Sequence, residues 1–292
     1  MKRAALVLAT VLAGPAWVAA QTNVDQKRPA TPDGVVHIEN MSGSIKVAGW
    51  DRAEVLVKGI LGEGAELSFT GTEKRTQVEV EAEHGNPMGI KSELEVFVPA
   101  AASVSIEGFQ ATITVAGVTG SVKAETVNGS ITQTGAAKGV ELQSVNGAID
   151  MTKASGRLKA EAVNGTVTVR DASGELEAST VNGKLLVIGG SFDRASLESV
   201  AGGIRFEAGL STRATLSVET VSASVELLLP AGLGAEFSVS TFSGAVTNEL
   251  GPAAEKSSKW TPEKELSFTT GSGGARVTVE TLSGAIHIRK RP

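Results

Sequence analysis

Chemistry in this chain of 292 residues without cysteine falls to carboxylates and to three histidines. Cleavage of an acidic polysaccharide would need clustered carboxylates, for metal binding or for general acid and base work, together with a base. Asp150 and Asp171 stand 21 residues apart, at different places in the repeat described below, and the glutamates are spread in rows. His37 and His287 sit in the alternating stretches Val36-His37-Ile38 and Ile286-His287-Ile288, which assigns both to outward strand faces, and His84 has no companion. A chain without cysteine carries no zinc pattern, and the Gly-Gly-x-Gly-x-Asp nonapeptide of calcium-binding rolls does not occur. The sequence predicts no catalytic residue, no metal and no cofactor. Trp50 is expected to pack on the first repeat. Trp260, in a polar stretch, is the candidate for touching a partner.

The elements that carry these side chains follow from a repeated phrase. Val127-Asn128-Gly129, Val145-Asn146-Gly147, Val163-Asn164-Gly165 and Val181-Asn182-Gly183 recur every 18 residues. Related phrases begin at Met41, Phe109, Val200, Val221, Phe242 and Leu282. The spacing drifts to 19, 21 and 21 after Val181 and then jumps to 40. A unit this short cannot bury its own apolar face, so copies must stack into a continuous core. Alternation such as Leu158-x-Ala160 before the phrase and Val167-x-Val169 after it is strand periodicity. Each coil therefore holds at least two short strands, each paired in parallel with its copy about 4.8 Å away.

That register turns columns of residues into ladders. Asn128, Asn146, Asn164 and Asn182 are expected to bond amide to amide along the stack. Gly129, Gly147, Gly165 and Gly183 are expected to supply a bend with positive φ. Lys123, Glu141, Lys159 and Glu177 alternate in sign, predicting attraction between coils. Glu125, Gln143, Glu161 and Ser179 avoid carboxylates on neighbouring coils, which reads as a solvated face managed against self-repulsion. Stepping by six from Ile149 reaches Ser155 and Glu161, so the hexapeptide rule of left-handed helices is not obeyed. The fold class read here is all-β, a single-stranded parallel β-helix (β-solenoid) of right-handed form, with a β-rich N-terminal cap.

Residues 1–20 read as a secretory signal, with Lys2 and Arg3, an apolar run over 4–13, and Val18-Ala19-Ala20 before Gln21. Gly14 and Pro15 interrupt the run well short of the ~20 apolar residues that a spanning helix needs, so no stable membrane insertion is expected after cleavage. Residues 21–34 are expected as a flexible leader, 35–116 as the cap and first coils, and 117–250 as the regular repeats. Residues 251–270 are expected as a surface loop, and 271–292 as a final coil with a basic tail. Losing Lys2 and Arg3 leaves 25 basic against 32 acidic residues, a net charge of −7 in place of −5. That sign disfavours nucleic acid and anionic lipid as partners.

Gly43-Ser44-Ile45-Lys46-Val47, Leu94-Glu95-Val96-Phe97-Val98-Pro99, the Val-Asn-Gly phrases, Leu227-Leu228-Leu229-Pro230 and Leu282-Ser283-Gly284-Ala285-Ile286 occur in this order. Over about residues 35 to 290 the chain resembles the bacterial putative-adhesin family of β-strand-repeat proteins, a domain of unknown function. The resemblance implies an exported or membrane-linked parallel β-helix and brings no catalytic residues. The expected function is a non-enzymatic exported scaffold with adhesin-like binding to an envelope or extracellular glycan or protein, in the periplasm, at the cell surface or secreted. A self-assembling envelope protein is the alternative, and a polysaccharide lyase or hydrolase the weakest one.

Overall fold

The computed structural model describes residues 22–82, 90–135, 137–256 and 262–291, and every regular element among them is a β-strand. In the middle of the chain each 18-residue coil contributes two strands, as in Gly139–Ser144 followed by Ile149–Thr152. The first pairs in parallel with its copies before and after it, Leu142 lying beside Ala124 and Ala160. The second does the same, Ile149 lying beside Ile131 and Val167. Alternate residues of both ladders enter one shared core, where Ala124, Leu142, Ile131 and Ile149 are fully buried. Parallel pairing lets each coil bury its apolar residues on the coils next to it, which no single coil can do.

The phrase glycines are needed for a reason other than a left-handed turn. None of Gly129, Gly147, Gly165 and Gly183 has positive φ. A Cβ on Gly147 would lie 1.8 Å from the Gly129 carbonyl oxygen, and one on Gly183 would lie 1.8 Å from that of Gly165. The coils approach so closely at this corner that only a hydrogen fits. Left-handed backbone occurs instead at the opposite corner, at Gly117, Gly135, Lys153, Asp171 and Gly189, again one coil apart.

Both ends of the stack depart from sequence order. The strand Val35–Trp50 pairs on one side with Ser103–Ala116 and on the other with Arg75–Ala82 and Ser92–Pro99, so these last two strands form the outer layer. Antiparallel strands Ala65–Thr72 and Glu54–Leu61 cover that layer. Thr22–Pro29, expected to be a flexible leader, is a strand paired with Glu54–Leu61 along its full length. It buries Val24, and Arg28 donates to the Phe69 carbonyl at 3.0 Å. An uncovered edge would leave a row of unpaired backbone groups, and the leader supplies their partners.

At the other end the last coil of the sequence is inserted between two earlier ones. Ala275–Thr281 pairs with residues 215–220 on one side and Ala235–Thr241 on the other. Ile286–Lys290 is likewise held between Val225–Leu229 and Val246–Asn248. Arg289 and Lys290, expected in a basic tail, are therefore strand residues inside a ladder, and Arg289 pairs with Glu226 at 2.7 Å. Residues 264–270, expected within a surface loop, form an antiparallel strand that covers Ala235–Thr241. It closes this edge as the leader and its neighbours close the other. The signal-like residues 1–20 lie outside the described residues.

Candidate binding groove

The triplet that ends each strand before the corner builds a groove along the stack. In Glu198-Ser199-Val200, Glu219-Thr220-Val221 and Glu280-Thr281-Leu282 the outer two side chains are exposed and the middle one is buried. Residues i and i+2 of a strand share a face, so each of these coils adds an acid on one lip and an apolar group on the other, while the hydroxyl between them turns inward beneath the groove. The hydroxyls are bonded: Thr126, Ser144 and Thr180 donate to the carbonyls of Ala111, Gly129 and Gly165 at 3.0, 3.0 and 3.1 Å. Thr220 meets Thr281 at 2.8 Å. The hydroxyl row thus fastens the strand ends to the corner where the glycines sit.

The apolar lip is a ridge. Val145, Val163, Val181, Val200, Val221, Leu282 and Phe242 are 37–55% exposed, while their strand neighbours fill the core. Two grooves, of about 470 and 350 Å³, lie between this ridge and the acidic row and meet at Val181. A third hollow of about 600 Å³ lies over the charged face that carries Lys123, Arg157, Glu175 and Arg194. The sequence signal for this inward hydroxyl row is a Ser or Thr directly before most of the phrases.

The electrostatics differ from the expected pattern in two ways. Lys123, Glu141, Lys159 and Glu177 are neighbours in register, but among the described residues Lys123 and Lys159 pair along their own strands, with Glu125 at 2.7 Å and Glu161 at 3.1 Å. Alternate residues on one strand face are about 6.6 Å apart along the backbone, within reach of a lysine side chain, and both lysines reach along the strand. These hydrogen bonds hold both ammonium groups above the usual lysine range. Gln143 spans the gap by donating to Glu141 and Glu161 at 3.2 and 3.0 Å. The acidic row is also not managed against repulsion over its whole length. Inserting residues 75–82 beyond Val35–Trp50 stacks Glu79, Glu39, Glu107 and Glu125 on consecutive strands. Burial, and next the charges of Glu79 and Glu107, push the Glu39 carboxyl above the usual carboxylate range.

The asparagine column is bonded: Asn146, Asn164 and Asn182 each donate to the preceding asparagine at 2.9 Å, on an exposed corner beside the ridge. Trp50 stacks on Phe97 with ring centroids 5.2 Å apart, and its Nε1 donates to the Glu54 carbonyl at 2.9 Å. His37 and His287 are half-buried on their strands. Asp150 pairs with Arg170 at 2.8 Å, and Asp171 occupies the left-handed corner. Trp260 and His84 lie outside the described residues. Among the described residues no three His, Asp or Glu side chains gather as a metal site would require, and no helix is long and apolar enough to cross a membrane.

Stacked coils with a groove running along them define an all-β scaffold. The family model described as Toastrack DUF4097 matches residues 35–289, and the chain belongs to that family. Its fold is similar to that of a putative adhesin from Parabacteroides distasonis ATCC 8503, with a TM-score of 0.51 at 6% identity over 92% of this chain and 98% of that one. It is also similar to a putative adhesin from Parabacteroides merdae ATCC 43184, with a TM-score of 0.51 at 8% identity over 91% and 95% of the two chains. At such identities the likeness is one of fold. No curated protein matches the sequence.

Proposed function

We propose that this protein is an exported, non-enzymatic scaffold that binds an envelope or extracellular glycan or protein along its groove, in the manner of an adhesin. The observation that carries this reading is the ridge, seven apolar side chains left 37–55% exposed in one unbroken line. Exposed apolar residues gathered into a contiguous patch mark interaction surfaces, whereas scattered ones do not. The signal-like N-terminus and the adhesin description of the similar folds support export and binding. The parallel coils, with no aliphatic at every sixth position, are read as a right-handed parallel β-helix. Polymerisation by end stacking is disfavoured, since antiparallel strands cover Arg75–Ala82 at one end and Ala235–Thr241 at the other.

The test is binding of residues 21–292 to a glycan array and to fractionated envelope components, beside the variant Val163→Thr/Val181→Thr/Val200→Thr. Saturable binding by the native protein that the variant loses supports the reading. A native protein that binds nothing, or a ligand held equally by the variant, rejects the groove as the site.

A further inference from the structure

Ridge and acidic row are most exposed together at the C-terminal end of the stack. Backbone hydrogen bonds place the ridge residues there in the order Val181, Val200, Val221, Leu282, Phe242. Exposure rises from 37% at Val181 to 55% at Leu282 and is 49% at Phe242. Two residues before each apolar group, Glu198, Glu219 and Glu280 lie on consecutive strands in register. Parallel neighbours are about 4.8 Å apart, so three carboxylates crowd one lip. Glu125 and Glu161 in the middle of the stack have lysine partners, but no lysine or arginine among the described residues lies within ion-pair distance of Glu198, Glu219 or Glu280. Folding has thus lined up two unfavourable features, uncovered apolar surface and unneutralised acid, on one outer face of the stack.

We propose that this end of the groove binds a basic amphipathic helical segment of a partner protein, its apolar face on the ridge and its lysines or arginines on the three glutamates. The proposal rests on the scaffold reading in taking the groove as the binding surface, and it adds the chemistry of the partner. One ligand class has to satisfy both lips. An anionic lipid surface would cover the ridge but be repelled by the row and by the net negative charge of the chain. A neutral glycan would leave the carboxylates unmatched. The pitch of an α-helix, 5.4 Å, is close to the rise of one coil, so successive turns of a helix meet successive ridge residues. Apolar anchors at i, i+3, i+4 and i+7 then fall on Val200, Val221 and Leu282 while the flanking cations reach the glutamates.

The experiment uses residues 21–292 and two labelled helical peptides with leucine in this pattern, one with lysine and the other with glutamate at the remaining positions. Fluorescence anisotropy is expected to show saturable binding of the Leu/Lys peptide, weakening as salt rises, and none of the Leu/Glu peptide. Glu198→Gln/Glu219→Gln/Glu280→Gln is expected to weaken binding roughly tenfold or more and to flatten the salt dependence. Val200→Thr/Val221→Thr/Leu282→Thr is expected to weaken it by a similar factor, whereas Arg157→Gln on the charged face leaves it unchanged. All the replaced side chains are exposed, and an unaltered circular dichroism spectrum and melting curve establish that each variant folds. Equal binding of both peptides, no binding of either, or binding that survives both triple variants overturns the proposal. A native protein that holds an envelope ligand through its ridge yet ignores the Leu/Lys peptide sinks this proposal alone. Peptide binding without any envelope ligand tells against the broader reading and leaves this one standing.

Discussion

A Cβ placed on Gly165 would stand 1.9 Å from the carbonyl oxygen of Gly147, one coil away. The stack is closest at this corner, and the same contact recurs between Gly147 and Gly129 and between Gly183 and Gly165. Overpacking against backbone cannot be relieved by turning a side chain. Gly165→Ala is expected to destabilise the protein by about 2–3 kcal/mol in urea unfolding. Gly139→Ala is the contrast, because its Cβ would meet nothing nearer than 3.6 Å, and its midpoint should stay within about 0.5 kcal/mol of the native protein.

At the opposite corner Lys153 has φ of 58° and Asp171 has 51° in a column otherwise occupied by glycine. A left-handed residue with a side chain costs roughly 1–2 kcal/mol, part of which glycine returns as greater freedom in the unfolded chain. Lys153→Gly should therefore stabilise by about 0.5–1 kcal/mol. Asp171→Gly should gain less, since aspartate tolerates this region. Thermal melts of both variants read the difference.

Asn146 both donates to Asn128 and accepts from Asn164, whereas Asn182 makes one bond of the column. With about 0.5–1.5 kcal/mol per hydrogen bond, Asn146→Ala should cost about 1–2 kcal/mol and Asn182→Ala about half of that. Equal losses in chemical denaturation would show that the column does not act through its bonds.

Glu39 takes up its proton more readily in the folded protein than a free glutamate does, because burial and the neighbouring Glu79 and Glu107 oppose its charge. The folded state then binds more protons than the unfolded one just above the usual carboxylate range, so this group's contribution falls as pH rises through the raised value. Glu39→Gln should raise the melting temperature at neutral pH and make no difference in acid, where the native carboxyl is protonated. A gain that is the same at both pH values would contradict the assignment.

The inserted coil makes Ser283 the neighbour of Ser222 on one side and of Ser243 on the other. In a chain that has no cysteine, Ser222→Cys/Ser283→Cys should oxidise to a disulfide. Ser222→Cys/Ser243→Cys, separated by the inserted coil, should remain free thiols. Thiol titration and a mobility shift after oxidation distinguish the two arrangements.

Sequence alone determined the parallel pairing of the regular coils. Between Phe109 and Val181 one repeat is one coil, so spacing along the chain equals position along the stack, and Asn128, Asn146, Asn164 and Asn182 fall into a column. Trp50, expected to pack on the first repeat, stacks instead on Phe97 of the outer strand Ser92–Pro99, a contact between segments distant in sequence. Tertiary structure decided the ends. Where an excursion longer than a coil intervenes, as between Phe242 and Leu282, the chain can return to either side of what it left, and the choice is made by contacts between segments distant in sequence. That choice stacked Glu219 on Glu280 and Glu39 between Glu79 and Glu107, carboxylate rows that no local spacing announces. The role of the phrase was divided in the same way. Its period was written in the chain, but only the packed coils show that its glycine is there to admit a carbonyl and that its valine is left outside, because both depend on how closely two separate turns of the backbone approach.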